Sequence, residues 1–277
     1  MLEKCVEDFL NKGELVIPAA GPDYLILDIL CMKENEKAIA RQFSSKKKIR
    51  KVKAFFKSTS VIKISYEASN SYSEVYVKTG WENILRQAVA MHLNNALTDR
   101  AVEYVLYRNV IATKGIPGIV LDDYIVRKDD SVYAYNYGLL EEYSKIIGLV
   151  DRDARNIILK ENGELWNIDF GHSFHHDGTL PLSRAANKKP IPFPGKNVLP
   201  DLNNGIEQAR YIIKDNLENK FNMIKRFLDA ITKQDMAKMA WGHTLLKGRT
   251  DLYHPKEILM KYVSNCGWYD LAQALND

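Results

Sequence analysis

The chain has 277 residues, 46% of them hydrophobic, which is enough apolar material for one large domain or two small lobes and excludes wholesale disorder. Its net charge is +4, and its three cysteines (Cys5, Cys31 and Cys266) are odd in number and widely spaced, which argues against a disulfide framework or a zinc module. No apolar run approaches the ~18–20 residues of a membrane span. Glu3, Glu7 and Asp8 stand where a signal peptide carries only positive charge, so the expected location is cytoplasmic, or a host cytosol if the protein is a secreted effector.

In chain order, Leu2 to Leu10 has the spacing of a helix ended by Gly13, and Leu15–Ile17 and Tyr24–Leu30 are short apolar runs. A charged helical segment, Glu34–Phe43, leads into a basic cluster in which Lys46, Lys47, Lys48, Arg50, Lys51 and Lys53 crowd into eight residues. Ile49, Val52, Phe55 and Phe56 interleave at helical spacing, so an amphipathic helix is expected there. It would be either a solvated face or a contact, through Lys46–Lys53, for an anionic membrane or an acidic partner; no nucleic-acid partner is expected.

Val61–Tyr66 and Ser73–Lys78 alternate apolar and polar residues around the turn Glu67–Asn70, which predicts two antiparallel strands. Trp81–Leu97 reads as a helix, Asp99–Tyr107 as a second helix and Ile116–Leu121 as a strand. Asp122, Asp123 and Tyr124 then break the apolar pattern before a helix at Tyr137–Gly148. Strands, a helix, another strand and then a helical half is the order of a kinase amino-terminal lobe, in which Asp122–Tyr124 would be the hinge that hydrogen-bonds adenine.

The stretch Gly148–Phe174 holds the densest chemistry. Asp151 and Asn156 stand five apart, the spacing of a kinase catalytic loop, and Asp169 follows Asn156 by thirteen residues at the head of an Asp-Phe-Gly triplet. Two β-rich runs, Ile157–Leu159 and Leu165–Ile168, flank Asn162-Gly163, a hairpin signal because both residues tolerate positive φ. Such a hairpin returns Asp169 to the side of Asn156. In phosphoryl transfer Asp151 would orient the attacking hydroxyl or accept its proton, while Asn156 and Asp169 would hold Mg2+ on the phosphates of ATP. Lys63 and Lys78 compete as the phosphate anchor. Lys78 is preferred because it ends a strand and is followed at once by a helix with Glu82, a candidate ion-pair partner, in its first turn. A Gly-rich phosphate loop is absent; the cover would be Glu67–Ser73 or Lys57-Ser58-Thr59-Ser60.

These residues resemble the phosphatidylinositol 3- and 4-kinases and their protein-kinase relatives. The family's Asp-Arg-His-x-x-Asn loop is matched by Asp151-Arg152-Asp153-Ala154-Arg155-Asn156, and its Ile-Asp-Phe-Gly-His by Ile168-Asp169-Phe170-Gly171-His172. Val75–Gly80 through Leu85-Arg86-Gln87 is similar to the family's lysine strand and the segment after it. The resemblance implies Lys78 as the ATP lysine, Lys57–Ser60 as the phosphate loop and a carboxylate partner for the lysine, with Glu82 the nearest candidate. Two departures stand out: Asp153 replaces the family's histidine, and Ala88 stands where an aspartate would follow Arg-Gln. Asp153 is either a further acid or base or the ion-pair partner of Arg152 or Arg155.

Beyond the triplet, His175, His176 and Asp177 are not expected to form a zinc site, because adjacent histidines point apart. Ser183–Pro194 occupies the activation-loop position, with Arg184, Lys188 and Lys189 as a basic patch for substrate, and Ile191-Pro192-Phe193 is similar to the Val-Pro-Phe of lipid-kinase relatives. Gly205–Gln234 and Asp235–Leu246 read as helices, followed by Pro255–Ser264 and Trp268–Leu275. The expectation is an α+β, two-lobed protein-kinase-like fold. A small antiparallel-sheet N-lobe with an N-terminal helical extension spans residues 1–121, and a mainly helical C-lobe spans 122–277. The expected activity is ATP- and Mg2+-dependent transfer to a hydroxyl, first of a protein serine or threonine. The alternatives are an inositol lipid or inositol phosphate as acceptor, and a nucleotide-binding pseudokinase.

Overall fold

The computed structural model describes residues 49–56, 60–68, 71–79, 81–107, 110–174, 189–236 and 254–277. Three strands open the described chain: β1 (Ile49–Phe56), β2 (Ser60–Ala68) and β3 (Ser71–Thr79). After helix α1 (Trp81–Leu97) come β4 (Tyr104–Tyr107) and β5 (Val110–Lys114). All five strands join one antiparallel sheet in the order β1-β2-β3-β5-β4. A second, three-stranded antiparallel sheet contains β6 (Ile119–Val120), β7 (Ile157–Leu159) and β8 (Leu165–Asn167). Helix α2 (Ser131–Lys145) lies between β6 and β7, and the chain ends in α3 (Leu199–Asn219), α4 (Phe221–Met236), α5 (Pro255–Asn265) and α6 (Tyr269–Asn276). The architecture is α+β, as expected.

Several elements differ from the sequence reading. Residues 49–56 form a strand, not a helix: Lys51-Val52-Lys53-Ala54 also alternates with a period of two, and β1 pairs with β2 along its length, Val52 opposite Ile64. Among the described strands β1 is the first in the sheet order. Asp99–Tyr107 is not helical either. Asn94 Nδ2 donates to the Arg100 carbonyl at 2.8 Å, and the Asn95 amide both donates to the Val102 carbonyl and accepts from its N–H at 2.8 Å. The asparagine side chains thus take the backbone groups that a second helix would have used. β5 was not anticipated, and the expected strand Ile116–Leu121 shrinks to β6 followed by a single 3-10 turn at Leu121–Asp123. The Gly205–Gln234 helix is two helices broken at Lys220, whose Nζ reaches the Ala96 carbonyl at 2.8 Å and so caps the C-terminal end of α1. The Leu2–Leu10, Glu34–Phe43 and Lys46–Lys48 readings lie outside the described residues.

α1 matches its predicted span, and Ala88, Val89, Ala90, Met91, Leu93 and Leu97 on it are fully buried. They share one core with Leu139, Ile147, Phe170, Ile213, Phe227, Leu259 and Leu275, so the apolar stripe of this helix is buried among the helices of the second half of the chain. A second cluster, including Leu121, Tyr137, Ala154, Ile157 and Leu165, packs under the 153–167 segment. α2 starts six residues before its predicted start because Asp130 caps it, its Oδ1 accepting from the amides of Val132 (2.8 Å) and Tyr133 (3.0 Å). Arg100, buried after α1, donates through Nη1 to the Leu165 carbonyl and through Nη2 to Asn136 Oδ1, both at 2.7 Å, and so ties the β7–β8 hairpin to α2.

Candidate active site

The hairpin is built as its sequence predicts. Ile157 pairs with Asn167 and Leu159 with Leu165, and the five-residue connection closes through the Gly163 amide on the Lys160 carbonyl at 3.0 Å. Gly163 has φ of +85°, a left-handed conformation that suits glycine. Trp166 Nε1 and Lys160 Nζ both donate to Glu164 (2.9 and 2.8 Å), and Lys160 also lies 4.8 Å over the Trp166 ring. The Ile168 amide then donates to the Asn156 carbonyl at 3.0 Å, which fixes the residue before Asp169 against the catalytic loop.

Four predicted residues come together there. Lys78, on β3, places Nζ 3.2 Å from Asp169 Oδ1 and 3.3 Å from Gln87 Oε1 on α1. Asp169 Oδ1 also accepts from the Gly171 amide at 3.0 Å, and Asn156 Nδ2 donates to Asp151 Oδ2 at 3.3 Å. Lys78, Asn156 and Asp169 line one cavity of about 120 Å3, with Tyr76, Thr113, Ile116 and Ile158 among its walls. Burial pushes the Asp169 carboxyl up, but the Lys78 ammonium and the Gly171 amide outweigh it and hold the group below the usual carboxylate range. Its side chain is still 36% exposed, against 14% for Lys78, so the carboxylate can reach a ligand in the cleft.

Other predicted site residues are placed differently. The segment bordering the cleft at the end of the five-stranded sheet is Lys114-Gly115-Ile116, not Asp122–Tyr124. Asp122 instead accepts from Lys189 Nζ at 2.5 Å, none of the three residues lines the cleft, and Tyr124 lines a separate surface groove with Val132 and Gly163. The reason is connectivity: β5 returns beside β3, so the chain leaves the sheet at Gly115, before the polar break. Asp153 is buried and forms the ion pair with Arg155, its Oδ1 accepting from Arg155 N and Nε at 2.9 and 2.8 Å. Arg152 pairs with Glu141 and lies 5.6 Å over the Tyr137 ring.

Ser60 is the first residue of β2, while Lys57, Ser58 and Thr59 lie outside the described residues. The same holds for Arg184 and Lys188, for His175, His176 and Asp177, and for the side chain of Glu82. Gln87, fully buried and bonded to Lys78, was not singled out from sequence; its signal was the Leu85-Arg86-Gln87 likeness. Gly115 and Ile116 at the cleft edge carried none. Among the described residues no helix is long and apolar enough to cross a membrane, and no group of three or more His, Cys, Asp or Glu side chains could hold a metal ion.

The pattern of the phosphatidylinositol 3- and 4-kinase family matches residues 142–241. This stretch is a phosphatidylinositol 3-/4-kinase-like catalytic region. It contains Asp151, Asn156 and Asp169, and the Lys78 strand precedes it. No curated protein matches the chain. The kinase-like region carries a reaction class with it, phosphoryl transfer to a hydroxyl of a lipid or a protein, with ATP and usually a divalent metal as the family's requirements.

Proposed function

We propose that the chain is a two-lobed kinase that uses ATP and Mg2+ to phosphorylate a serine or threonine hydroxyl of a protein. The observation that carries this reading is the Lys78–Asp169 pair at 3.2 Å in a cleft that Asn156 also lines, with Asn156 bonded to Asp151. Lys78 would ground the negative charge of the transferred phosphates, and Asp151 would orient the acceptor hydroxyl and take its proton. Asp169 and Asn156 fit a magnesium ion by the chemistry of their donors: one is an ionised carboxylate, and the other keeps its amide oxygen available because Nδ2 is committed to Asp151. When bound, that ion neutralises phosphate charge. The N-lobe would end where the chain leaves the five-stranded sheet, at Gly115–Gly118, with the adenine contact on Lys114–Ile116.

The charges beside the catalytic loop favour a protein over an inositol phosphate. Asp122, Asp151 and Asp153 all act on Arg155, Lys189 is bonded to Asp122, and Arg152 is paired with Glu141, so these cations are already matched by carboxylates. An anionic headgroup would meet repulsion there, whereas a neutral or basic peptide would not. The exposed Phe193 in Ile191-Pro192-Phe193 supports the lipid alternative. Incubation with labelled ATP, magnesium and either histone or phosphoinositide vesicles separates the two, with Asp169→Ala as the dead control. The reading fails if neither acceptor is labelled while ATP still raises the melting temperature, the behaviour of a pseudokinase.

A further inference from the structure

We infer that Asp153 is a positioning residue that fastens the returning end of the activation segment to the catalytic loop and so sets where the acceptor hydroxyl sits; this rests on the kinase reading above. Its carboxylate serves two stretches far apart in sequence. Oδ1 accepts from the Arg155 amide and Nε, and Oδ2 accepts from the Lys189 amide at 3.0 Å. The Ala154 amide donates in turn to the Lys189 carbonyl at 2.9 Å, and Asp153 bridges to Pro190 in antiparallel fashion. Proline has no N–H, so an ordinary ladder would run out of donors here. The carboxylate does not replace that donor; it gives the Lys189 amide an acceptor and so adds a second hydrogen bond beside the one from the Ala154 amide.

The clamp continues along the same stretch. Tyr133 Oη donates to the Pro192 carbonyl at 2.6 Å, the Tyr137 and Phe193 rings meet edge to face at 5.5 Å, and the Gly195 amide donates to the Lys128 carbonyl at 2.7 Å. The Asp153 contact is the one nearest the chemistry, two residues from Asp151. It is poorly suited to proton transfer. Arg155 and Lys189 occupy both carboxylate oxygens, and burial, which would raise its pKa, is overcome by these bonds, which hold it at about 2. A general acid or base works best with a pKa near the operating pH. A histidine at this position could not replace the clamp, because a neutral imidazole has a single acceptor nitrogen.

The test compares full-length wild type with Asp153→Ala, Asp153→Asn and Asp153→His. Amide hydrogen exchange at Ala154 and Lys189 is expected to accelerate at least tenfold in the Ala and His variants, with α1 to α4 unchanged. For whichever of histone and phosphatidylinositol vesicles the wild type labels, the acceptor KM should rise at least tenfold while the ATP KM stays within twofold. Asp153→Asn, which keeps one carbonyl oxygen for the turn, should fall between Ala and wild type, with an unchanged pH profile of kcat. The inference is overturned if kcat collapses at constant acceptor KM, if His restores the activity that Ala loses, or if protection is lost throughout the helices. If the wild type labels neither acceptor, the kinase reading fails on its own. Exchange still decides the clamp, since retained protection at Ala154 and Lys189 in the Ala variant refutes it.

Discussion

The Lys78 ammonium helps to keep the Asp169 carboxyl ionised, and the roles of the two residues can be separated by substitution. Asp169→Ala removes the only carboxylate among the described cleft walls. It is expected to lower kcat by at least two orders of magnitude, the scale of losing a preorganised electrostatic contact. Lys78→Ala should abolish the rise in melting temperature produced by ATP, while Lys63→Ala, one strand away opposite Tyr76, should keep it. If Lys63→Ala is the variant that loses the shift, the anchor has been misassigned. The pair also fixes a sign with pH. Because the folded Asp169 carboxyl lies below its unfolded value, its contribution to stability is complete above the unfolded carboxylate range near ~4 and fades as pH falls through the folded value. Melting curves of wild type and Asp169→Asn should therefore be furthest apart near neutrality and converge in acid.

At the scale of elements, α2 and α3 approach so closely that two glycines have no room to spare. A Cβ on Gly205 would overlap the Tyr135 carbonyl oxygen, and one on Gly138 would overlap the Leu202 carbonyl oxygen. Alanine normally stabilises an exposed helix interior by about 1 kcal/mol relative to glycine. Here Gly205→Ala and Gly138→Ala are each expected to destabilise by about 1–3 kcal/mol through overpacking, read as a lower midpoint in urea denaturation. Neither glycine was legible as a contact, because sequence shows only that a helix former is missing. Elements whose instructions are local were legible: the β7–β8 hairpin, with its Asn162-Gly163 turn, and α1, with its long apolar stripe. Those settled by a distant partner were not. β1 is consistent with two periods until β2 pairs with it, and the chain after α1 becomes a strand because Asn94 and Asn95 divert its backbone groups.

Across the whole molecule the same division holds. Asp151, Asn156 and Asp169 flank a single hairpin, so their spacing could be read directly, whereas the cleft edge at Lys114–Ile116 depends on β5 returning to β3 and could not. Glu142 is the clearest case of a residue whose meaning is entirely long-range. It reads as one charge in an amphipathic helix, yet its side chain is 1% exposed and joins three helices. It accepts from Lys145 Nζ at 2.5 Å on α2, Arg210 Nε at 3.2 Å on α3 and Tyr262 Oη at 3.0 Å on α5. Burial pushes its carboxyl up, but the bonds to Lys145 and Arg210 prevail and hold it low, so its stabilising effect is present near neutrality and declines on acidification. Glu142→Ala leaves a half-exposed arginine and a buried tyrosine hydroxyl without their acceptor, and is expected to cost about 1–3 kcal/mol in urea denaturation, mainly through the orphaned hydroxyl. Replacing the group together, as Glu142→Leu, Arg210→Met and Tyr262→Phe, removes the orphaned partners as well as the charge. That triple variant should therefore be more stable than Glu142→Ala alone. The reverse order would mean that the carboxylate joins the helices by attraction that exceeds its own desolvation.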